Sequence, residues 1–165
     1  MFSIRATRKL LTAMRATPLK EPPAPTTVLG DWYVNVTNDG LVLCVSEKTL
    51  LPVVLPREAL SALAIELPRA LAAVLDALGI ERAAIERERF EMALSTVSTT
   101  ANRRVVGFLN EFALMMEATS DHERPRSLLE TSVYLAHTPC NASATKLVTW
   151  PDAATRAAFD SRPLE

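Results

Sequence analysis

Glycine is scarce in this sequence, with 4 residues among 165. Loops that wrap the phosphates of nucleotides and dinucleotides need several closely spaced glycines, because only glycine lets the backbone approach a phosphate so closely. Neither such a loop nor the G-x-S-x-G turn of serine hydrolases occurs in the sequence. We therefore expect no dinucleotide cofactor, and no other cofactor is predicted.

Cysteine and histidine are scarcer still, with 2 residues of each. Cys44 and Cys140 are far apart and lack the paired spacing of a disulfide framework or a zinc site. The two histidines, His122 and His137, are isolated from one another, whereas a metal site needs clustered ligands. The sequence predicts no metal site, and this use of cysteine favours a reducing cytoplasm.

Long hydrophobic runs and a strong net charge are also missing. Apolar residues make up 48% of the chain but never form the roughly 18 unbroken positions that a bilayer span requires, so no membrane contact is predicted. The formal net charge of −1 removes the general argument for a nucleic-acid-binding domain. Residues 1–15 are rich in arginine and free of acids, as in an organellar presequence, but residues 2–5 alternate as a first strand does.

The length fits one domain covering residues 1–165, since domains commonly run to about 100–200 residues. Within it, residues 17–30 form a proline-rich stretch with prolines at positions 18, 22, 23 and 25. Each proline fixes φ and removes a hydrogen-bond donor, so this stretch is predicted to be an extended internal loop.

Alternating apolar residues predict strands over residues 2–5, 32–37, 41–45 and 50–55. Asn38-Asp39-Gly40 tolerates positive φ and predicts a hairpin between the second and third of them. Pro52 lacks an amide to donate, which indicates an edge strand. Alternation of Phe90, Met92 and Leu94 favours one more strand, over residues 90–97.

Apolar residues at spacings of three and four predict helices in the remaining segments. One opens at Pro56, the next at Pro68, and the charged run over residues 81–89 indicates a helix with a solvated face. Further helices are predicted after Thr7, from Asn102, and over residues 127–137 and 151–159. The fold class is therefore α+β, with an antiparallel sheet of about five strands and helices packed mainly on one face.

Residues 100–112 join the predicted fifth strand to a helix. If that helix starts near Asn102, then Arg103, Gly107 and Asn110 share one face, opposite the apolar stripe. Glycine costs about 1 kcal/mol relative to alanine inside a helix, so close approach to its backbone is expected. An arginine beside free helix amides can hold a phosphate or carboxylate.

The predicted ligand-binding residues are Asn102, Arg103, Arg104, Gly107 and Asn110. Alternatively, Asn102 only caps the helix, Gly107 only admits a neighbouring element and Asn110 only ties down a loop.

A second predicted site is a basic patch. Arg8 and Lys9 follow the first strand and could join Arg103 and Arg104 in one surface that neutralises phosphates. The alternative is ordinary solvated surface charge.

His137 and Cys140 are the candidates for catalysis. A thiol three positions after an imidazole matches the residue types of a cysteine nucleophile and its base. Pro139 separates them and leaves their relative geometry open.

Three blocks of sequence carry a family resemblance: residues 5–11, residues 29–33 with 45–52, and residues 100–112. In this order they resemble a bacterial family known as domain of unknown function 6933, over most of the chain from the first strand to the helix ending near His137. The resemblance implies no reaction and no catalytic residues.

The leading hypothesis is a small cytoplasmic interaction or regulatory protein, not an enzyme, that binds a partner protein or an anionic ligand. One alternative is a small enzyme acting on a phosphorylated or nucleotide-like substrate, with Arg103 and Arg104 binding the anion and His137 or Cys140 performing chemistry. Another is weak, salt-sensitive binding of nucleic acid through Arg8, Lys9, Arg103 and Arg104.

Overall fold

The computed structural model describes residues 1–120, 126–141 and 148–161. Within these ranges it contains seven β-strands, six α-helices and one 3₁₀ helix. In chain order they are β1 (Phe2–Ala6), α1 (Arg8–Ala13), β2 (Trp32–Val36), β3 (Val42–Ser46), β4 (Pro52–Leu55), the 3₁₀ helix (Arg57–Ala62), α2 (Leu63–Ala77), α3 (Arg82–Glu91), β5 (Ser95–Thr99), α4 (Arg103–Ser120), α5 (Leu128–Ala136), β6 (Cys140–Asn141), β7 (Val148–Thr149) and α6 (Pro151–Asp160).

Five strands form one sheet in the order β4-β3-β2-β1-β5, which confirms the α+β class. β2, β3 and β4 are antiparallel neighbours, as predicted, but β1 runs parallel to both β2 and β5. The prediction of an antiparallel sheet was therefore wrong, because the sheet is mixed. The physical reason is the connection over residues 7–31, which contains α1 and the proline-rich segment and is long enough for the crossover that parallel strands require.

The turns and edges of the sheet follow local chemistry. Gly40 has a φ of +88° in the β2–β3 hairpin, as the predicted turn requires. β4 is an edge strand, which confirms the interpretation of Pro52, and the Oγ of Ser132 on α5 accepts a 2.9 Å hydrogen bond from the Val54 amide. At the opposite edge, the amide of Leu19 donates to the Val97 carbonyl of β5 at 2.8 Å. The proline-rich segment thus shields one edge and α5 the other.

Two apolar clusters cover the two faces of the sheet. In β3, Val42 and Cys44 belong to the first cluster while Leu43 and Val45 belong to the second, as the alternation of a strand requires. The first cluster includes buried residues of α1, α2 and α3, and the second includes buried residues of α4 and α5. Helical side chains are therefore found in both clusters and not in one alone.

Two predicted element boundaries were wrong. Pro68 lies inside α2 and does not open it, because Leu63 and Leu67 are both buried and extend the apolar face one turn upstream. Phe90 belongs to α3 and is 79% exposed, so the fifth strand starts at Ser95. The alternation from Phe90 to Leu94 spans a helix end and a turn, which imitates the period of a strand.

Candidate functional site

The junction between β5 and α4 is set by Asn102. Its side-chain Oδ1 accepts hydrogen bonds from the amides of Arg104, at 3.0 Å, and Val105, at 3.4 Å. These are the bonds of an N-cap, which satisfies amides that a helix start leaves without partners. The Asn102 carbonyl oxygen also accepts from the Val106 amide. The side-chain oxygen of this predicted ligand-binding residue is therefore committed to the helix.

Two paired residues of β1 and β2 hold this junction against the sheet. Arg5 and Tyr33 are register partners on these strands. The Tyr33 hydroxyl accepts a 2.9 Å hydrogen bond from the Asn102 amide, and Arg5 Nη1 donates to the Thr99 carbonyl at 3.3 Å. Burial raises the pKa of Tyr33, against the lowering effect of the Asn102 amide. The phenol therefore stays neutral near pH 7 and can accept this bond.

Arg5 is itself oriented by Asp31. The guanidinium donates through Nε at 2.9 Å and Nη2 at 2.8 Å to Asp31 Oδ2, while the Ser3 amide donates to Oδ1 at 2.9 Å. Asp31 is 1% exposed, and these donors supply the hydrogen bonds that a buried carboxylate needs. Asp31, which precedes β2, is thus linked to Ser3 and Arg5 of β1, and Arg5 in turn contacts the end of β5 just before α4.

One face of α4 is open to solvent, and we call it the α4 face. It consists of Arg103, Gly107, Asn110 and Leu114, at spacings of four, three and four residues. All four are exposed, and Leu114 is 65% exposed. A Cβ added to Gly107 would have no heavy atom of the described residues within 4 Å. Gly107 therefore does not admit a neighbouring element of the described chain.

The remaining predicted ligand-binding residue, Arg104, takes part in contacts within the chain. Its Nη2 donates to the Thr149 hydroxyl of β7 at 3.4 Å, and its guanidinium lies 5.7 Å from the centre of the Phe108 ring. Thr149 pairs with Cys140 of β6. Arg104 thus connects α4 to the small β6–β7 sheet, whereas Arg103 makes no ion pair among the described residues.

His137 and Cys140 have different partners. His137 Nδ1 is 2.8 Å from Asp152 Oδ2, which also accepts from Arg156 Nη1 at 2.9 Å. Burial opposes ionisation of Asp152, but hydrogen bonds from the Ala153 amide, Arg156 and His137 lower its pKa below the ordinary value. The thiol of Cys140 lies 3.8 Å from the Thr138 carbonyl oxygen, its hydrogen-bond acceptor. The other histidine, His122, lies outside the described residues.

Cys140 is a poor nucleophile in this environment. It is 3% exposed and packs in the second apolar cluster. Burial and the nearby Glu111 carboxylate raise its pKa to about 11, and Arg104 offsets only part of this. The thiol is therefore protonated near neutral pH, whereas nucleophilic attack needs the thiolate.

The predicted basic patch lies on α1. Arg8 and Lys9 are both exposed. Arg8 lines a groove of about 570 Å³ together with Lys20 of the proline-rich segment.

Across the described ranges, no three His, Cys, Asp or Glu side chains cluster as metal ligands would. Nor do those ranges contain a helix with the length and apolarity needed to cross a membrane.

The model of one protein family, described as Domain of unknown function (DUF6933), matches residues 3–154. The chain belongs to this family. The match confirms the resemblance carried by the three sequence blocks, all of which lie within it. No curated protein and no solved structure matches the chain. Membership of DUF6933 assigns no activity to the chain.

Several residues that build the site in this DUF6933 chain were missed from the sequence. Arg5, Asp31 and Tyr33 position α4 but are dispersed along the chain, and no local pattern connects them.

Glu88 was predicted to lie on a solvated face, yet it is 1% exposed. Its carboxylate accepts from the amides of Val28, at 2.7 Å, and Leu29, at 3.1 Å. The run of charges around it concealed this role.

Proposed function

We propose that this chain is a non-enzymatic interaction protein that binds a partner protein through the α4 face. The partner presents a backbone or a small side chain to Gly107, a carboxylate to Arg103 and an apolar side chain to Leu114. The observation that carries the proposal is the open surface above Gly107.

Nothing in the described chain requires a glycine at position 107. Its φ is not in the positive region that favours glycine, and a Cβ added there would contact no described neighbouring element. Glycine at such a helix position costs about 1 kcal/mol relative to alanine. A second molecule that packs closely on the helix backbone would account for this cost.

The neighbours of Gly107 have the chemistry of a binding surface. Arg103 makes no ion pair with the described residues, so its guanidinium is available for a bidentate carboxylate contact. Leu114 exposes most of its side chain to water, and its burial by a partner would be favourable. Asn110 lies between Gly107 and Leu114 on the same face and offers both a donor and an acceptor.

The described geometry gives less support to the alternative functions. An enzyme that used Cys140 would need a thiolate, and burial together with Glu111 favours the protonated thiol. Binding of nucleic acid would need a concentrated basic surface, yet Arg104 contacts Thr149 and Phe108. The proposed compartment is the cytoplasm, because Cys44 and Cys140 are both free thiols.

Capture experiments with the full chain test the proposal. Gly107→Leu places a bulky side chain on the α4 face, and Arg103→Glu reverses its charge. Ala73→Leu is the matched control, since Ala73 is an exposed position inside α2. We expect proteins from an extract of the source organism to be retained by the wild type and by Ala73→Leu.

The same proteins should be lost with Gly107→Leu and Arg103→Glu. With a purified partner, each variant should bind at least about tenfold more weakly, equivalent to about 1.4 kcal/mol. Identical retention by all four proteins, each shown to be folded by circular dichroism, would exclude the α4 face as the binding surface.

A further inference from the structure

The carboxyl ends of β1 and β5 lie at a switch point of the sheet topology. These strands are parallel neighbours in register from Phe2↔Ser95 to Ala6↔Thr99, so both end at the same edge of the sheet. α1 follows β1 and adds buried residues to the first apolar cluster, whereas α4 follows β5 and adds them to the second. Ligands of open sheets with parallel strands bind where the following helices depart to opposite faces.

A groove of about 570 Å³ lies beside these strand ends. Thr99, the last residue of β5, and Arg8, the first residue of α1, both line it. The exposed Pro18 and Leu19 supply apolar surface, whereas Leu11 in its lining is largely buried. The volume is within the usual range of small-molecule sites, roughly 300–1,000 Å³.

The groove carries positive charge that the described chain does not neutralise. Arg8 and Lys20 both line it, neither makes an ion pair with the described residues, and no described carboxylate lines the groove. The segment that carries Lys20 is tied to the sheet, because the amide of the preceding Leu19 donates to the Val97 carbonyl at 2.8 Å. Two cations from separate segments are thus brought to one cavity.

We infer that this groove binds an organic phosphate monoester. The phosphate lies between Arg8 and Lys20, whose two positive charges match a phosphate dianion, and the organic part packs on Pro18 and Leu19. None of these residues belongs to the α4 face, so the inference is independent of the proposed function.

Titrations of the full chain followed by NMR test this inference. The probes are phenyl phosphate, inorganic phosphate, benzoate and benzyl alcohol. Phenyl phosphate combines a dianion with an apolar ring, so we expect it to bind the most tightly and to shift the amide signals of Leu19, Lys20 and Thr99. Benzoate should bind more weakly because it carries one charge, and benzyl alcohol the most weakly because it carries none.

Variants separate the groove from general surface charge. Arg8→Ala and Lys20→Ala should each weaken phenyl phosphate binding about tenfold, the usual effect of losing one charge-assisted hydrogen bond. Lys9→Ala is the matched control, because Lys9 is an exposed neighbour of Arg8, and it should bind like the wild type. Gly107→Leu should also leave binding unchanged, which separates this test from that of the α4 face.

Two outcomes would overturn the inference. One is equal weakening by Lys9→Ala and Arg8→Ala, which would indicate diffuse electrostatic attraction. The other is the absence of saturable shifts in the wild type at millimolar phenyl phosphate.

Discussion

The hydroxyl of Tyr33 accepts a hydrogen bond from the backbone amide of Asn102, 69 residues further along the chain. Tyr33 is fully buried in β2, and Asn102 caps α4. The same hydroxyl lies 3.4 Å from Glu47 Oε1, to which it can donate. The Tyr33 side chain therefore holds the capped start of α4 against the sheet. This contact helps to place the α4 face.

Tyr33→Phe should lower the free energy of unfolding by about 1 kcal/mol, because the Asn102 amide loses its acceptor in a partly buried site. Denaturant unfolding measures the loss, and hydrogen exchange at Asn102 should become faster. Tyr134→Phe is the control, since Tyr134 is 38% exposed. Equal stability of the two variants would contradict a structural role for the Tyr33 hydroxyl.

Gly107→Ala should raise the free energy of unfolding by about 0.5–1 kcal/mol, because alanine is the better helix former and no described atom would clash. Gly79→Ala is a matched comparison with the opposite expectation. Its added Cβ would also be free of contacts, but the φ of +79° is unfavourable for alanine and should cost about 1–2 kcal/mol. Thermal and denaturant unfolding compare the two, and a loss of stability in Gly107→Ala would refute the helix-propensity argument.

Glu88→Gln should destabilise the fold by about 1–3 kcal/mol, since an amide has one oxygen where the carboxylate supplies acceptors to both Val28 and Leu29. For a chain of this size, each kcal/mol lowers the melting temperature by about 2–4 °C. The control is Glu86→Gln, because Glu86 is exposed and its ion pair with Arg89 lies at the surface. That control should change stability by less than about 0.5 kcal/mol.

Asp152 should contribute a pH-dependent part of the stability. Its native pKa lies below the ordinary value of 3.8, so the native state favours the charged form more than the unfolded state does. The contribution is complete above the unfolded pKa and is lost as the pH falls through the lower native pKa. Unfolding measured from pH 7 to pH 2 should show wild type and Asp152→Asn converging below about pH 4. A constant difference across this range would contradict the assignment.

Local patterns were sufficient for most elements. The turn at Gly40, the edge position of Pro52 and the apolar stripe of α4 depend on residues close in sequence, and all three predictions were confirmed. The same helical period predicted that Arg103, Gly107 and Asn110 share one face of α4. Phe90 was misjudged because three residues at a helix end happened to alternate like a strand.

Long-range relationships could not be predicted in this way. Tyr33 is 69 residues from Asn102 and Arg5 is 94 residues from Thr99, and only the sheet register brings these residues together. Glu88 has the same chemistry as its exposed neighbours, and its role depends on two amides some 60 residues earlier. Side-chain type alone therefore could not separate it from ordinary surface charge.

The sequence by itself determined the period of most elements, the turn at Gly40 and the exposed face around Gly107, because these depend on backbone geometry over a few residues. The tertiary structure alone decided that β1 pairs in parallel with β5, that Asn102 is held by Tyr33, and that Arg8 and Lys20 meet at one groove. Such pairings are chosen by burying both faces of the sheet at once. That condition involves the whole chain and cannot be read from any one segment.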